Sequence, residues 1–239
     1  MIVGLIPARS GSKGIEDKNI KPLGGYPLMA WSIVVSKACC GHTVVSTDSE
    51  EYARIAMTYG AEVVMRPSYL ASDTSTDYDY LWHTLQEFPA TMCFVLLRPT
   101  TPFREVRQVK KAISLVIDNW TLITGLRSVE QLSEPVEKML RINNQGSLEG
   151  INKQPVDMAN LPRQFWSPSY KANGYVDIVK ANSLSVTNKR VFGKSVLPFI
   201  TTRVPEIDTQ EDWDYAEWWL ERYGCPSISL LEDTTRARA

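Results

Sequence analysis

The amino-acid sequence predicts an α/β fold built on a doubly wound, mostly parallel sheet. Short apolar runs rich in β-branched residues alternate with longer amphipathic segments from the amino terminus to about residue 128. One run, "MCFVLL" at 92–97, is apolar throughout, as expected for a strand buried on both faces. The 239 residues, of which 44% are hydrophobic, suffice for a sizeable core. Ligands of such sheets bind at the carboxyl ends of the strands, so we expect functional residues in the loops that follow them.

The first half of the chain predicts its elements in regular order. Strands are predicted at 2–6, 43–46, 62–65, 92–97 and 122–126. Helices are predicted between them at 28–38, 48–59, 77–88 and 105–118.

The alternation stops beyond residue 128. Asn144, Gly146 and Gly150 separate short runs, which indicates a hairpin-bearing insertion. The α/β pattern returns with "GYVDIVKA", and 208–223 predicts a final helix with Thr209 as its amino-terminal cap. We therefore expect an α/β domain formed by 1–128 and 171–225, an insertion at 129–170, and a tail at 226–239 whose end, "EDTTRARA", frays.

Charge and composition exclude several classes of protein. A net charge of -1 and a pI near 6.2 give no general attraction to nucleic acid or to an anionic membrane. No run approaches the roughly 20 apolar residues of a membrane span, and the apolar run before Pro7 is too short for a signal peptide. The four cysteines lack metal-type spacing. We expect a cytoplasmic protein that binds neither nucleic acid nor a membrane.

The loop after the first strand, "RSGSKGIEDKN" at 9–19, concentrates positive charge. Arg9 can bind phosphate oxygens through its forked guanidinium, and Lys13 and Lys18 add flexible point charges. The two glycines permit a close approach of backbone N–H groups. The loop is neither a Walker motif nor a GxGxxG fingerprint. It predicts a phosphate site; the alternative is a solvated basic loop, partly neutralised by its own two acidic residues.

Two further groups of candidate functional residues lie later in the chain, each at the predicted end of a strand. Glu206 and Asp208 flank one apolar residue at what reads as a strand end, so both carboxylates could hold Mg²⁺. Acidic residues before a helix are also common without a metal, because they interact with its dipole. In "RPTTPFRE", Arg98, Thr100 and Thr101 offer donors after the most apolar strand. The alternative is a proline-bracketed turn that leaves its second arginine in solvent.

Several motifs occur in one order along nearly the whole chain. They are "IPARSGSKGIEDKNIKPLGGYPL", "VVSTDSEEYARIAMTYGAEVVMRPSYLASDTS", "LLRPTTPFR", "SEPVEKML", "LPRQ", "YKANG" and "EIDTQED". Together they resemble the cytidylyltransferases that activate nonulosonic acids, the CMP-sialic acid synthetases and their legionaminic and pseudaminic acid relatives. The resemblance implies a Rossmann-like nucleotidyltransferase fold.

The resemblance also implies a reaction. CTP and a nine-carbon α-keto acid sugar would give a CMP-sugar and pyrophosphate, with the anomeric hydroxyl attacking the α-phosphorus in line. Because no covalent bond to the protein forms, catalysis would rest on alignment and on neutralising charge. The catalytic residues implied are Arg9, Lys18 and Asp208. Asp208, with Glu206, would bind Mg²⁺.

The same resemblance assigns binding residues. The nucleotide-binding set is Arg9, Ser10, Gly11, Ser12, Lys13, Lys18, Asn19 and, near the cytosine, Arg66. The sugar-side set is Arg98, Thr100, Lys138, Arg163, Asn173 and Asp177. Lys138 and Arg163 would face the sugar's carboxylate from a neighbouring subunit, because the insertion matches the family's dimerisation arm. A homodimer is therefore expected.

Three positions depart from the sialic acid enzymes. Glu206 replaces the first aspartate of their Asp-Ile-Asp, Arg98 stands where they often have glutamine, and Asp177 stands at a usual tyrosine position. The last two fall on the sugar side, so a legionaminic or pseudaminic acid is at least as well supported as N-acetylneuraminate. Two alternatives stay open. One is a related sugar nucleotidyltransferase, of the CMP-3-deoxy-octulosonate type or specific for another NTP; the other is a catalytically silent nucleotide-binding subunit.

Overall fold

A central sheet of seven strands organises the chain in the computed structural model, which describes residues 1–237. The strands are β1 (Ile2–Pro7), β2 (Pro22–Leu23), β3 (Tyr26–Pro27), β4 (His42–Thr47), β5 (Glu62–Met65), β6 (Cys93–Leu96), β7 (Gly125–Gln131), β8 (Leu140–Ile142), β9 (Leu148–Gly150), β10 (Tyr170–Lys180) and β11 (Val196–Ile200). The helices are α1 (Leu28–Cys39), α2 (Glu50–Thr58), α3 (Asp77–Glu87), α4 (Val106–Asp118), α5 (Gln210–Tyr223) and α6 (Ile228–Arg236).

The central sheet has the order β11-β7-β10-β6-β1-β4-β5. Neighbouring pairs are parallel except that β10 runs antiparallel to both β6 and β7. The predicted α/β class with a mostly parallel sheet is confirmed. This topology gathers the carboxyl ends of β1, β4, β5 and β6 at one edge, where the loops of interest begin.

Alternation along the strands divides the core into two layers. Ile6 packs with α1 and α4 on one face of the sheet, and its neighbour Leu5 packs with α3 on the other. All four residues of β6 are buried, because this strand is covered on both faces. The rigid centre of the sheet therefore supports the loops that follow β1 and β6.

The regular first half of the chain matches its prediction closely, whereas the second half departs from it. The strand predicted at 122–126 begins later and extends to Gln131. Strand β11 was not predicted, and the 201–207 segment after it is irregular, so Glu206 does not lie at a strand end. Within the predicted insertion, β8 and β9 form the expected hairpin.

In the carboxyl-terminal tail the structure differs from the predicted frayed end. Residues 228–236 form α6, which packs against α1 and buries Leu231 completely, so this part of the predicted frayed end is helical. Burial of an apolar side chain offsets the entropy of ordering the segment. Arg238 and Ala239 lie outside the described residues. Among residues 1–237, every helix falls short of the length and apolar character that a membrane crossing requires.

Candidate active site

A cavity of about 390 Å³ opens at the carboxyl ends of the central strands. It is lined by most of the predicted nucleotide residues and by two of the predicted sugar residues. These are Arg9, Ser12, Lys13, Lys18, Asn19, Arg66, Asp208, Arg98 and Thr100. The fold thus brings four segments that are far apart in sequence, at 9–19, 66, 98–100 and 208, into one site.

Lys18 joins the first loop to the segment before α5. Its side chain is 11% exposed, and its ammonium group donates to the carbonyl of Ile207 at 2.9 Å and to Asp208 Oδ1 at 3.0 Å. Gly14 lies at the same junction. A Cβ atom there would stand 2.2 Å from the Asp208 carbonyl oxygen, so only glycine permits this contact. Lys18 and Asp208 are therefore held together by backbone as well as by charge.

Ser10 links the first loop to Asp48, which follows β4. Its backbone N–H and its hydroxyl both donate to the carboxylate of Asp48, at 2.8 and 2.7 Å. Partial burial raises the pKa of Asp48, but these hydrogen bonds and the charge of Arg66 bring it below its ordinary value. Ser10 and Gly11 do not line the cavity, and Gly11 provides the turn with its φ of +66°. In this structure the two residues shape the loop, and their contact with the nucleotide stays a prediction.

Arg9 and Lys13 share the carboxylate of Asp73, a residue that no sequence pattern singles out. Arg9 Nη2 lies 2.8 Å from Asp73 Oδ1, and Lys13 Nζ lies 2.5 Å from Asp73 Oδ2. Hydrogen bonds from both cations, that of Lys13 first, hold the pKa of Asp73 below its usual range. The carboxylate is therefore ionised at neutral pH.

Arg66 follows β5 and is 5% exposed. It donates to the carbonyl of Ser46 at 2.7 Å and to that of Leu70 at 3.4 Å, and its guanidinium carbon lies 5.4 Å from the ring centroid of Tyr80. Burial lowers the pKa of Arg66, yet an arginine stays charged at neutral pH. The cavity thus has a fixed cation beside an aromatic face.

Arg98 is neutralised by two carboxylates. It donates to Asp77 at 2.5 Å and to Asp177 at 2.9 Å. Asp177 is 1% exposed and also accepts from the backbone N–H of Ser128, so it supports Arg98 from behind and does not reach the cavity. Within this structure its position favours an indirect role through Arg98, and direct contact with the substrate stays a prediction. Asp77, which does line the cavity, was missed because it opens a helix like many capping acids.

Arg104, the second arginine of the turn that carries Arg98, is buried. The alternative that left it in solvent is therefore wrong. Arg104 is 0% exposed and donates to the hydroxyl of Ser32 and to the carbonyls of Arg98, Gly174 and Tyr175. Burial lowers its pKa to about 9, so it remains charged at neutral pH. The turn that carries Arg98 and Thr100 is therefore fixed from beneath.

A smaller cavity of about 240 Å³ adjoins the first at Asp208. Glu206 and Asn173 line it. Burial, and after it the charge of Asp208, raise the pKa of Glu206. A cation near both carboxylates would offset this unfavourable effect on the charged form. Residues 1–237 contain no group of three metal-ligating side chains. The pair nevertheless fits Mg²⁺, which commonly takes one or two protein carboxylates and completes its shell with substrate phosphates and water.

Lys138 and Arg163 do not reach this site within one chain. Lys138 pairs with Glu134 at 3.0 Å. Arg163 lines a separate cavity of about 480 Å³ in the insertion, together with Gln131 and Trp166. Neither cation lines the cavity that holds Lys18 and Asp208.

Comparisons with known proteins agree with this geometry. A sequence model described as "Cytidylyltransferase" matches residues 3–188. The chain is 33% identical to a CMP-N,N'-diacetyllegionaminic acid synthase of Legionella pneumophila over 92% of this chain and 96% of that protein. It is 29% identical to an N-acylneuraminate cytidylyltransferase of Escherichia coli over 90% of this chain, and it spans about half the length of that relative.

Solved structures show the same fold at low identity. The structure of a CMP:2-keto-3-deoxy-manno-octonic acid synthetase complexed with CTP has a TM-score of 0.68 and 15% identity, over 92% of this chain and 98% of that one. A 4-diphosphocytidyl-2C-methyl-D-erythritol synthase from Anaerococcus prevotii has a TM-score of 0.61 and 13% identity over the same shares.

Proposed function

Because the chain belongs to the cytidylyltransferase family, we propose that it transfers CMP from CTP to the anomeric hydroxyl of a nonulosonic acid and releases pyrophosphate. The observation that carries the proposal is the contact of Lys18 with Asp208 inside one cavity. These residues stand 190 positions apart and belong to the two motifs for triphosphate and metal. The cavity therefore holds the groups that a phosphoryl-transfer reaction requires.

The triphosphate would lie against the first loop. A lysine ammonium has three N–H groups. Lys18 donates two of them to Ile207 and Asp208, which leaves the third for a phosphate oxygen. Arg9 and Lys13 would neutralise the charge that develops on the departing pyrophosphate. Arg66 would face the base from the opposite end of the cavity.

We propose that Glu206 and Asp208 hold Mg²⁺. Bound there, the ion would neutralise phosphate charge and lower the pKa of the attacking hydroxyl. Lys18 keeps the Asp208 carboxylate oriented from the other side.

The sugar would bind between Arg98 and the smaller cavity. The two arginines Arg98 and Arg127 balance the two carboxylates Asp77 and Asp177. The cluster therefore has no excess positive charge and is suited to hydroxyl and amide groups rather than to the sugar's carboxylate. We assign the carboxylate to Lys138 and Arg163 of a neighbouring subunit, which makes the active form a homodimer. The 33% identity over almost the whole Legionella relative favours a legionaminic-type acid as substrate. Use of CTP favours the cytoplasm, where the free thiols of its cysteines would persist.

Pyrophosphate release with each of the four NTPs tests this function. The acceptors are N-acetylneuraminate, N,N'-diacetyllegionaminate, pseudaminate and 3-deoxy-octulosonate. We expect release with CTP and the legionaminate above all. Turnover of 3-deoxy-octulosonate alone would instead indicate a sugar nucleotidyltransferase of the CMP-3-deoxy-octulosonate type, an alternative that is compatible with the fold shared with the octonic acid synthetase. CTP binding in calorimetry without turnover of any acceptor would indicate a silent subunit and overturn the proposal.

A further inference from the structure

Asp73 lies at the rim of the cavity on the segment between the turn at Ser68–Leu70 and α3. Each of its carboxylate oxygens contacts a different cation, Arg9 at 2.8 Å and Lys13 at 2.5 Å. The second amino group of Arg9 is directed at the carbonyl of Ala71, 3.5 Å away on the same segment. One segment thus occupies both cations that the proposed reaction assigns to the triphosphate.

These contacts differ from those of Lys18 in exposure. The side chains of Asp73 and Lys13 are 44% and 79% exposed, and that of Arg9 is 33% exposed. Exposed ion pairs are weak and exchange readily, whereas charge-assisted bonds to a phosphate are strong. Lys18, at 11%, is fixed by a carbonyl as well as a carboxylate. The loop therefore has one anchored cation and two whose partner can be replaced.

The rim segment is anchored on both sides of Asp73. On one side, the turn that begins at Ser68 is closed by the bond from the Ala71 N–H to the Ser68 carbonyl. On the other side, Thr76 and Asp79 form the capping box of α3. Between them, Ser72 bonds only to Thr74 and Ser75 of the same segment through its hydroxyl. A change in the position of the Asp73 carboxylate need not disturb either anchor.

We propose that Asp73 is a built-in competitor of the triphosphate: its carboxylate holds Arg9 and Lys13 before CTP binds, leaves them when CTP binds, and returns to them as pyrophosphate departs. The inference rests on the proposed function for the identity of the displaced ligand. The exchange is one of ionic partners, so no bond is made or broken and Asp73 stays ionised in solvent. Its consequence is weaker nucleotide binding and faster release of pyrophosphate than the loop cations alone would give.

The test uses Asp73→Asn, which keeps the shape and removes the charge. Calorimetric titration with inorganic pyrophosphate, without sugar, should show binding about three- to tenfold tighter than in the unchanged protein, since weak exposed pairs no longer compete. In turnover, the KM for CTP and the inhibition constant of pyrophosphate should fall by a similar factor, while kcat does not rise. A purely structural role would not separate KM from kcat in this way.

Two variants control the measurement. Asp73→Glu keeps the charge and should bind pyrophosphate like the unchanged protein. Asp118→Asn removes one exposed carboxylate at the far end of α4, where it accepts only from Ser114, and should leave binding unchanged. Equal affinities in Asp73→Asn and Asp118→Asn, or weaker binding in Asp73→Asn, would overturn the inference, as would equal tightening by Asp73→Glu. If no sugar acid is turned over but Asp73→Asn binds pyrophosphate more tightly, the proposed function fails and this inference stands.

Discussion

The ammonium group of Lys18 is held in position by other residues of the chain. Its bonds to Ile207 and Asp208 fix the ammonium group, so no reorganisation is needed when phosphate charge develops nearby. The basic loop itself suggested this chemistry, because arginine and lysine near glycine after a strand are typical of phosphate sites. What the loop could not show is which of its cations would be anchored.

Lys18→Ala should reduce kcat/KM by about 100-fold or more, because it removes a preorganised cation. The melting temperature should stay close to that of the unchanged protein. The matched control is Lys21→Ala, three residues further along the chain: Lys21 contacts Gln210 and the Trp213 ring and does not line the cavity. Steady-state kinetics with CTP and the preferred acceptor, beside thermal unfolding, make the comparison. Wild-type rates in Lys18→Ala would contradict its role.

Asp208→Ala should abolish the response to magnesium. We expect turnover to fall at least about tenfold and to become insensitive to added Mg²⁺, because a principal ligand is gone. Thermal unfolding with and without MgCl₂ gives a second readout: the metal should stabilise the unchanged protein and not the variant. Asp214→Ala, an exposed carboxylate of α5 that accepts from Gln210, is the control. Equal magnesium stabilisation of all three proteins would exclude a metal role for Asp208.

Three carboxylates around the site could not be identified from the sequence alone. Asp48, Asp73 and Asp77 are ordinary acids in loops or at helix starts when read from the sequence. Their importance comes from partners 21 to 64 positions away, which only the fold brings into contact. The cations of the first loop could be chosen from their local spacing, and so could Asp208, whereas these three carboxylates could not.

Among the strands and helices, those with a clear local sequence pattern were predicted best. The first half alternates strand and helix with strong periodicity, and its elements fall within a few residues of prediction. Strand β11 was missed because Pro198 interrupts an otherwise apolar run, and proline is tolerated only at the edge of a sheet, where β11 lies. Helix α6 was missed because its stability depends on tertiary burial of Leu231.

Helix α3 offers a test of pH dependence. Asp79 accepts from the N–H and the hydroxyl of Thr76; burial raises its pKa, but these bonds bring it below the ordinary 3.8. A lowered folded-state pKa means that its stabilisation is full above about pH 4 and is lost as the pH falls through the folded value. Asp79→Ala should therefore lower the free energy of unfolding by about 1 kcal/mol at pH 7, and by less in acid.

Urea unfolding at pH 7 and near pH 3 measures both values. Glu87→Ala, at the other end of α3, removes a carboxylate without touching the capping box and should show no such pH dependence. A loss of stability that is equal at both pH values would mean that the charge of Asp79 contributes nothing.

Across the whole molecule, Arg104 connects the parts that form the site. Its bonds reach α1 through Ser32, the turn after β6 through Arg98, and β10 through Gly174 and Tyr175. A guanidinium can do this because it has five N–H donors in a fixed plane, which lysine lacks. The antiparallel β10 is thereby held beside β6, and Arg98 keeps its position between Asp77 and Asp177.

The insertion carries the last prediction, which concerns two copies of the chain. Within one copy Arg163 and Lys138 lie away from Lys18, so the proposed sugar site is complete only if a partner supplies them. Mixing the inactive variants Lys18→Ala and Arg163→Ala, with subunit exchange, should then restore activity. One site of each mixed dimer combines an intact loop with an intact partner arginine. Random pairing in a two-fold dimer gives about one quarter of wild-type activity.

The matched control mixes Arg163→Ala with Lys138→Ala. Every site in that mixed dimer lacks one of the two partner cations, so activity should stay at the sum of the separate variants. Turnover is measured after co-refolding equal amounts, with dimer content checked by light scattering. If the first mixture regains nothing although mixed dimers form, Arg163 acts within its own chain or not at all, and the sugar's carboxylate must be bound by cations of the same subunit, of which Lys171 and Arg203 line the smaller cavity.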